Sequence, residues 1–203
     1  GVYGGVFVSA MHSAAFTATS VREIIDAGIA SIPENTTFRK VMDDVVDYYE
    51  RGESWEQCWQ LIQNDYGNAD RCLWYATSPA NIDAKLNSAS VLMGLLYGKG
   101  DFEKSTLISL RCGQDSDCNP STVAGILGNY YGFNALKKYF SGLDMTGTPF
   151  ATTSMSFAAA VSLCDRFANE FLTDSGYADG DAYSLPCTPV KAVPYEQWEA
   201  MPS

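Results

Sequence analysis

This chain is short of several things, and each shortage removes a class of function. It has one histidine, His12. A Ser-His or Cys-His relay therefore has a single place to sit, inside the apolar stretch from Val6 to Phe16. A lone histidine there reads as a hydrogen-bonded core residue rather than a base or ligand. The six cysteines, Cys58, Cys72, Cys112, Cys118, Cys164 and Cys187, form no CxxC pair, which argues against a structural zinc site. No apolar run approaches the ~20 residues a membrane-crossing helix needs. Basic residues are few, 13 Lys and Arg against 24 Asp and Glu, for a net charge of −11. That balance speaks against a nucleic-acid duplex or an anionic membrane as partner. An anionic small ligand remains compatible if a cation bridges the repulsion. A Gly-rich phosphate loop followed by Lys-Ser or Lys-Thr is also missing.

What is present suits a buried globule. Apolar residues make up 46% and charged residues 18% of 203 positions, enough for one sizeable core. Helical periodicity recurs along the chain. Ser20 and Glu23 form a capping box, and Val21, Ile24, Ile25, Ile29 and Ile32 carry that helix to Pro33. Phe38, Val41, Met42, Val45, Val46 and Tyr49 mark the next helix, closed near Gly52, with Asp43 and Asp44 on its solvated side. Ser54 and Gln57 open a third, with Trp55, Cys58, Trp59 and Ile62 as its buried stripe. Asn64 to Tyr75 reads as a polar loop. The segment from Asn81 to Tyr97 is apolar on several sides and belongs at the centre of the core. Gly98-Lys99-Gly100 breaks it, and Asp101 caps a helix through Leu110. Phe157, Val161, Cys164, Phe167, Ala168 and Phe171 define the last long helix. After Asp174 the chain is punctuated by Gly176, Gly180, Pro186, Pro189, Pro194 and Pro202. Tyr183 to Leu185 and Val190 to Val193 are short extended pieces in this tail. With no convincing alternating strand elsewhere, the predicted fold class is all-α, a compact orthogonal multi-helix bundle over residues 1–174 with an irregular tail, 175–203, packed on it.

The even cysteine count permits disulfides. Cys58 with Cys72 is the first choice, plain burial of both being the alternative, and Cys164 with Cys187 would staple the tail to the last helix. Asn35-Thr36-Thr37 is a glycosylation sequon at Asn35. Both features lean to an extracellular, secreted protein, with a cytoplasmic one as the alternative. Gly1 to Val8 enters an apolar segment at once, so the chain reads as a processed piece of something longer.

The chemistry concentrates in Gly113-Gln114-Asp115-Ser116-Asp117-Cys118-Asn119-Pro120. Two carboxylates lie two residues apart, just before a helix that Asn119 can cap and Pro120 can open. Val123, Ile126, Leu127 and Tyr130 give that helix one apolar face, and it ends at Gly132. Oxygen ligands on a fixed loop are how a hard divalent cation is held. An EF-hand is excluded: its glycine position is Pro120 and its bidentate glutamate position is Ile126. The alternative use of the acids is solvated capping.

The stretch from Arg111 to Gly128 resembles the C-terminal metal motif of the ADP-ribosylglycohydrolase family, a Gly-x-Asp-x-Asp loop followed by a glycine-containing helix. The resemblance extends through Gly4-Gly5-Val6-Phe7-Val8-Ser9-Ala10-Met11 and Gly28-Ile29-Ala30-Ser31-Ile32-Pro33, and covers Gly1 to about Phe140. It implies an all-α fold and a magnesium site of one or two ions that holds ribose hydroxyls and a water. Asp115 and Asp117 correspond to metal ligands. The next family position is usually Thr or Ser; here it is Cys118, a thiol that suits magnesium poorly. Either backbone or water takes its place, or Cys118 lies off the metal, bonded to Cys112. Gly4, Gly5 and Gly113 are candidate substrate contacts, with helix packing as the other use of such glycines. The family's early Thr/Ser-Asp-Asp-Thr motif has no counterpart, since Met42-Asp43-Asp44-Val45 lacks both hydroxyls. The resemblance then implies half an active site, completed by a second polypeptide carrying the N-terminal half. The implied activity is magnesium-dependent cleavage of ADP-ribosyl or related ribosyl glycosidic bonds. Its substrate would be an ADP-ribose-like small molecule or an ADP-ribosylated protein. The alternative is a non-catalytic binding or structural relative.

Overall fold

In the computed structural model, helices dominate; residues 1–67, 81–142, 147–179 and 182–185 are described. In chain order the helices are α1 (Val2–Ala15), α2 (Val21–Ala30), α3 (Thr37–Glu50), α4 (Trp55–Tyr66), α5 (Ala84–Gly98), α6 (Phe102–Arg111), α7 (Cys118–Tyr131), α8 (Phe133–Leu136) and α9 (Phe157–Asp174). A 3-10 turn (Lys137–Phe140) follows α8, and a two-stranded antiparallel hairpin, β1 (Ala178–Asp179) and β2 (Ala182–Tyr183), follows α9. The all-α reading holds.

Local chemistry sets the helix starts. The Ser54 hydroxyl accepts from the Gln57 amide while the Gln57 side chain accepts from the Ser54 amide, a complete capping box. At α2 the Ser20 hydroxyl accepts from the Glu23 amide, but the Glu23 carboxylate accepts from the Thr19 amide and hydroxyl at 2.8 and 2.7 Å. Asp83 caps α5 and Asp101 caps α6. The expected loop from Asn64 begins later, because α4 runs to Tyr66; residues 68–80, and with them Cys72, lie outside the described residues.

The backbone divides into two compact units, whose described parts lie in 1–136 and 137–190. This division falls inside the 1–174 stretch that the sequence reading keeps together. In the first unit α5 is the hub. Its buried positions include Leu86, Ser88 to Leu96 and Gly98, on every side of the helix, and α1, α2, α3, α4, α6 and α7 all touch it. Such all-round burial needs small residues where backbones meet. A Cβ on Gly98 would lie 1.9 Å from Ser105 Oγ and 2.6 Å from Ser105 Cα, and one on Gly94 would lie 2.8 Å from the Ser105 carbonyl oxygen. The α5–α6 contact is therefore set by backbone approach rather than by large side chains.

The second unit holds α9 and the hairpin. The Ser156 hydroxyl caps α9, yet none of its side chains is buried, and Phe157, Val161, Phe167 and Phe171 are about half exposed or more. The stripe is helical as expected, but it is not a buried stripe. Tyr183 OH donates to Asn169 Oδ1, so the hairpin anchors beside the stripe rather than across it. The second extended piece, Val190 to Val193, and Cys187 lie outside the described residues.

Candidate metal-binding loop

Helix α6 ends at Arg111 with Cys112 as its cap, and the chain then turns sharply. Gly113 has φ +76 and Gln114 φ +62, so two successive residues take the left-handed conformation, the second without glycine's freedom. Tertiary contacts hold Gln114 there: its side-chain carbonyl accepts from the Asn81 amide, and Asn81 is itself fixed by donating Nδ2 to the Gly67 carbonyl at 3.0 Å. Upstream, Trp59 Nε1 donates to the Cys112 carbonyl at 2.7 Å. The loop is thus pinned to α4 and to the segment preceding α5 before the acidic residues begin.

The structure brings Asp115, Asp117 and Cys118 together, with one possible ligand atom of each within 4.8 Å of the others. Asp115 is half-buried and oriented from two sides. Asn87 Nδ2, one turn into α5, donates to Asp115 Oδ2 at 2.8 Å, and the Cys118 amide approaches Oδ1 at 3.4 Å. Asn119 Nδ2 in turn approaches Asn87 Oδ1 at 3.4 Å. Asp117 is exposed. Helix α7 begins two residues earlier than its sequence suggests: Asp117 is the N-cap, with no side-chain cap bond, and Asn119 lies inside the first turn, buried. Asn119 therefore does not cap. Its amide donates to the Asp115 carbonyl at 3.2 Å, and its side chain serves the Asp115–Asn87 chain instead. Pro120 still falls within the first turn, where its missing N–H costs nothing.

Cys118 is exposed, and hydrogen bonding to Asp115, aided by the charges of Asp115 and Asp117, pushes its thiol pKa up. A protonated thiol offers little to a hard cation. The donor set therefore fits a divalent cation through two carboxylates, with the third protein position poorly matched. Cys58, Cys112, Cys118 and Cys164 are free thiols, so the alternative in which Cys118 bonds to Cys112 does not hold, and no disulfide occurs among the described residues. Burial pushes the Cys58 thiol up to about 11 and the Cys112 thiol up to about 12, which marks both as unreactive interior groups.

The other candidates are scattered. Gly4 lies in α1 against α5, where a Cβ would meet Ala84 and Ser88 at ordinary contact distances of 3.5 and 3.6 Å. Gly5 is exposed with open space beside it. Asn35 is exposed in the α2–α3 connection, with Thr36 as the N-cap of α3. His12 is hydrogen-bonded as expected, though half-buried rather than in the core: Asn129 Nδ2 lies 2.9 Å from its Nδ1, and Gly125 leaves room for its ring. Asp43 and Asp44 are tied to Arg39 and Lys40 at 2.8 Å. Asp44 also accepts from Tyr66 OH and is half-buried, so the solvated reading fails for it because α4 packs over that side of α3.

Asn87 and Asn119 are the site residues that sequence reasoning missed. A partial signal existed for Asn87, the one amide side chain of a helix read as central to the core, where a polar group needs a partner.

Compared with known proteins, residues 1–174 match the ADP-ribosylglycohydrolase family. No curated protein and no solved structure matches the chain. The chain belongs to the ADP-ribosylglycohydrolase family, whose members are in general metal-dependent, and a glycohydrolase-like function follows from that membership.

Proposed function

We propose that this chain supplies one half of a magnesium-dependent site that hydrolyses ADP-ribosyl or related ribosyl glycosidic bonds, with Asp115 and Asp117 as its metal ligands. The observation that carries the reading is the pair of clustered carboxylates on a loop whose conformation is fixed from outside. Asp115 is aimed by Asn87, as metal-ligating carboxylates are aimed by outer partners, while Asp117 faces solvent. A bound divalent cation would orient ribose hydroxyls, lower the pKa of a bound water and screen an anionic substrate from a chain of net charge −11. The chain's own residues hold and orient: Asn87 and the Cys118 amide fix the rotamer of Asp115, and the left-handed turn at Gly113 and Gln114 sets the loop's direction.

The remaining ligands and the acid–base carboxylate belong, in this reading, to a second polypeptide with the family's N-terminal half. Asp43 and Asp44 do not serve, being committed to ion pairs on α3. The substrate is an ADP-ribose-like small molecule or an ADP-ribosylated protein, and the extracellular space is the proposed compartment. A second reading, a non-catalytic relative that binds without cleaving, is favoured by Cys118 in the place of an oxygen ligand.

The test uses material purified from its natural source, together with any polypeptide that accompanies it. Release of ADP-ribose from an ADP-ribosylated peptide should fall at least ~100-fold when divalent cations are chelated, and return with magnesium. Hydrolysis indifferent to chelation would contradict the metal site. Magnesium binding with no hydrolysis would select the non-catalytic reading.

A further inference from the structure

A groove lies within the first unit at the other end of α7 from the acidic loop. Helix α7 is 14 residues long, which at ~1.5 Å per residue puts the two about 20 Å apart. The groove has a volume of about 470 Å³, within the range of small-molecule sites. Its floor is apolar: Ile25, Leu95 and Leu96 are buried. Two of its walls are tyrosines held in place by backbone. Tyr130 OH donates to the Thr19 carbonyl at 3.0 Å and Tyr131 OH to the Gly100 carbonyl at 2.7 Å. The two rings meet edge to face with centroids 4.7 Å apart. Their orientation is set before any ligand arrives, which lowers the ordering cost of binding.

The cations around the groove are unequally engaged. Arg22 lines the groove but is engaged by Asp26 at 2.7 Å and Glu50 at 3.3 Å. Lys99 also lines it and makes no ion pair among the described residues. Lys99 occupies the C-cap of α5 at φ 53, ψ 36. That left-handed cap position favours glycine, and a lysine there is strained. Glycine is available to this turn, since Gly98 and Gly100 flank it. A strained lysine kept between two glycines, at the rim of an aromatic groove, suits an ammonium that works on a ligand.

We infer that this groove is a second small-molecule site, taking a planar aromatic anion whose ring lies against the tyrosines and apolar floor and whose charge meets Lys99. Adenosine 5′-monophosphate and 4-hydroxyphenylacetate carry that chemistry as a phosphate and a carboxylate; adenosine is the uncharged control. Calorimetry on the purified chain should give a Kd on the order of 10⁻⁴ M for at least one of the two anions. Which of them binds identifies the source class. Adenosine should bind about tenfold more weakly than its monophosphate if the nucleotide is the ligand. Lys99→Gly should raise Tm by about 2 °C by relieving the left-handed strain, yet weaken the anion about tenfold. Asp115→Asn should leave this binding unchanged, which separates it from the acidic loop. Three results would overturn the inference: neither anion binding up to roughly 5 mM, affinity unchanged in Lys99→Gly, or binding abolished by Asp115→Asn.

Discussion

Single residues decide how well the acidic loop can hold a cation, and two of them make opposite predictions. Asn87 donates to Asp115 Oδ2 from a neighbouring helix, so Asn87→Ala frees the carboxylate to rotate. Magnesium affinity should fall about tenfold, as is usual when an outer partner of a ligand is removed, while thermal stability changes little. Cys118→Ser should do the reverse. It puts a hard oxygen where a protonated thiol stands, and affinity should rise several-fold by titration calorimetry. An unchanged affinity in Cys118→Ser would mean that position 118 lies off the metal. The clustering of Asp115 and Asp117 was legible because spacing on a loop is a local property. The role of Asn87 was not, because its contact with Asp115 joins α5 to a loop that only the fold brings beside it. Asn119 was misread for a related reason: Asn before Pro reads as a cap in any sequence, but burial against Asn87 gives that amide a better partner.

Among the elements, the α5–α6 pair shows what periodicity cannot convey. The all-round apolar character of α5 placed it in the core correctly. Gly98 reads as a helix breaker, yet it lies within the helix and its larger role is to let Ser105 approach. Gly98→Ala should separate the two helices and cost about 1–3 kcal/mol, the usual range for overpacking, measured by denaturant unfolding. Gly128→Ala is the control. A Cβ there meets nothing within 4 Å in the last turn of α7, so the variant should gain up to about 0.5–1 kcal/mol from helix propensity. Equal effects at the two sites would contradict the packing described. Helix α9 shows the converse case. Its stripe Phe157, Val161 and Phe171 has the right period, but period alone does not say what covers a face, and here the side chains remain exposed.

For the whole molecule, the all-α class was legible because helical period and capping agree at nearly every element. The division at residue 136 was not, since no run of Gly and Pro marks it. His12 makes the first unit's stability depend on pH. Burial lowers its pKa from the ordinary 6.5, so above that value it is neutral folded or unfolded and its contribution is complete. As pH falls through 6.5 the unfolded chain takes the proton first, and stability declines until the folded pKa is passed. His12→Asn keeps an acceptor for Asn129 and should flatten that part of the stability profile, read by denaturant unfolding between pH 7.5 and the acid side. The proposed divalent cation at Asp115 and Asp117 is tested most directly by calorimetric titration of magnesium into the complete native protein. The expected result is a saturable binding isotherm that Asp115→Asn abolishes; an isotherm identical in the wild type and in Asp115→Asn would contradict the proposed site.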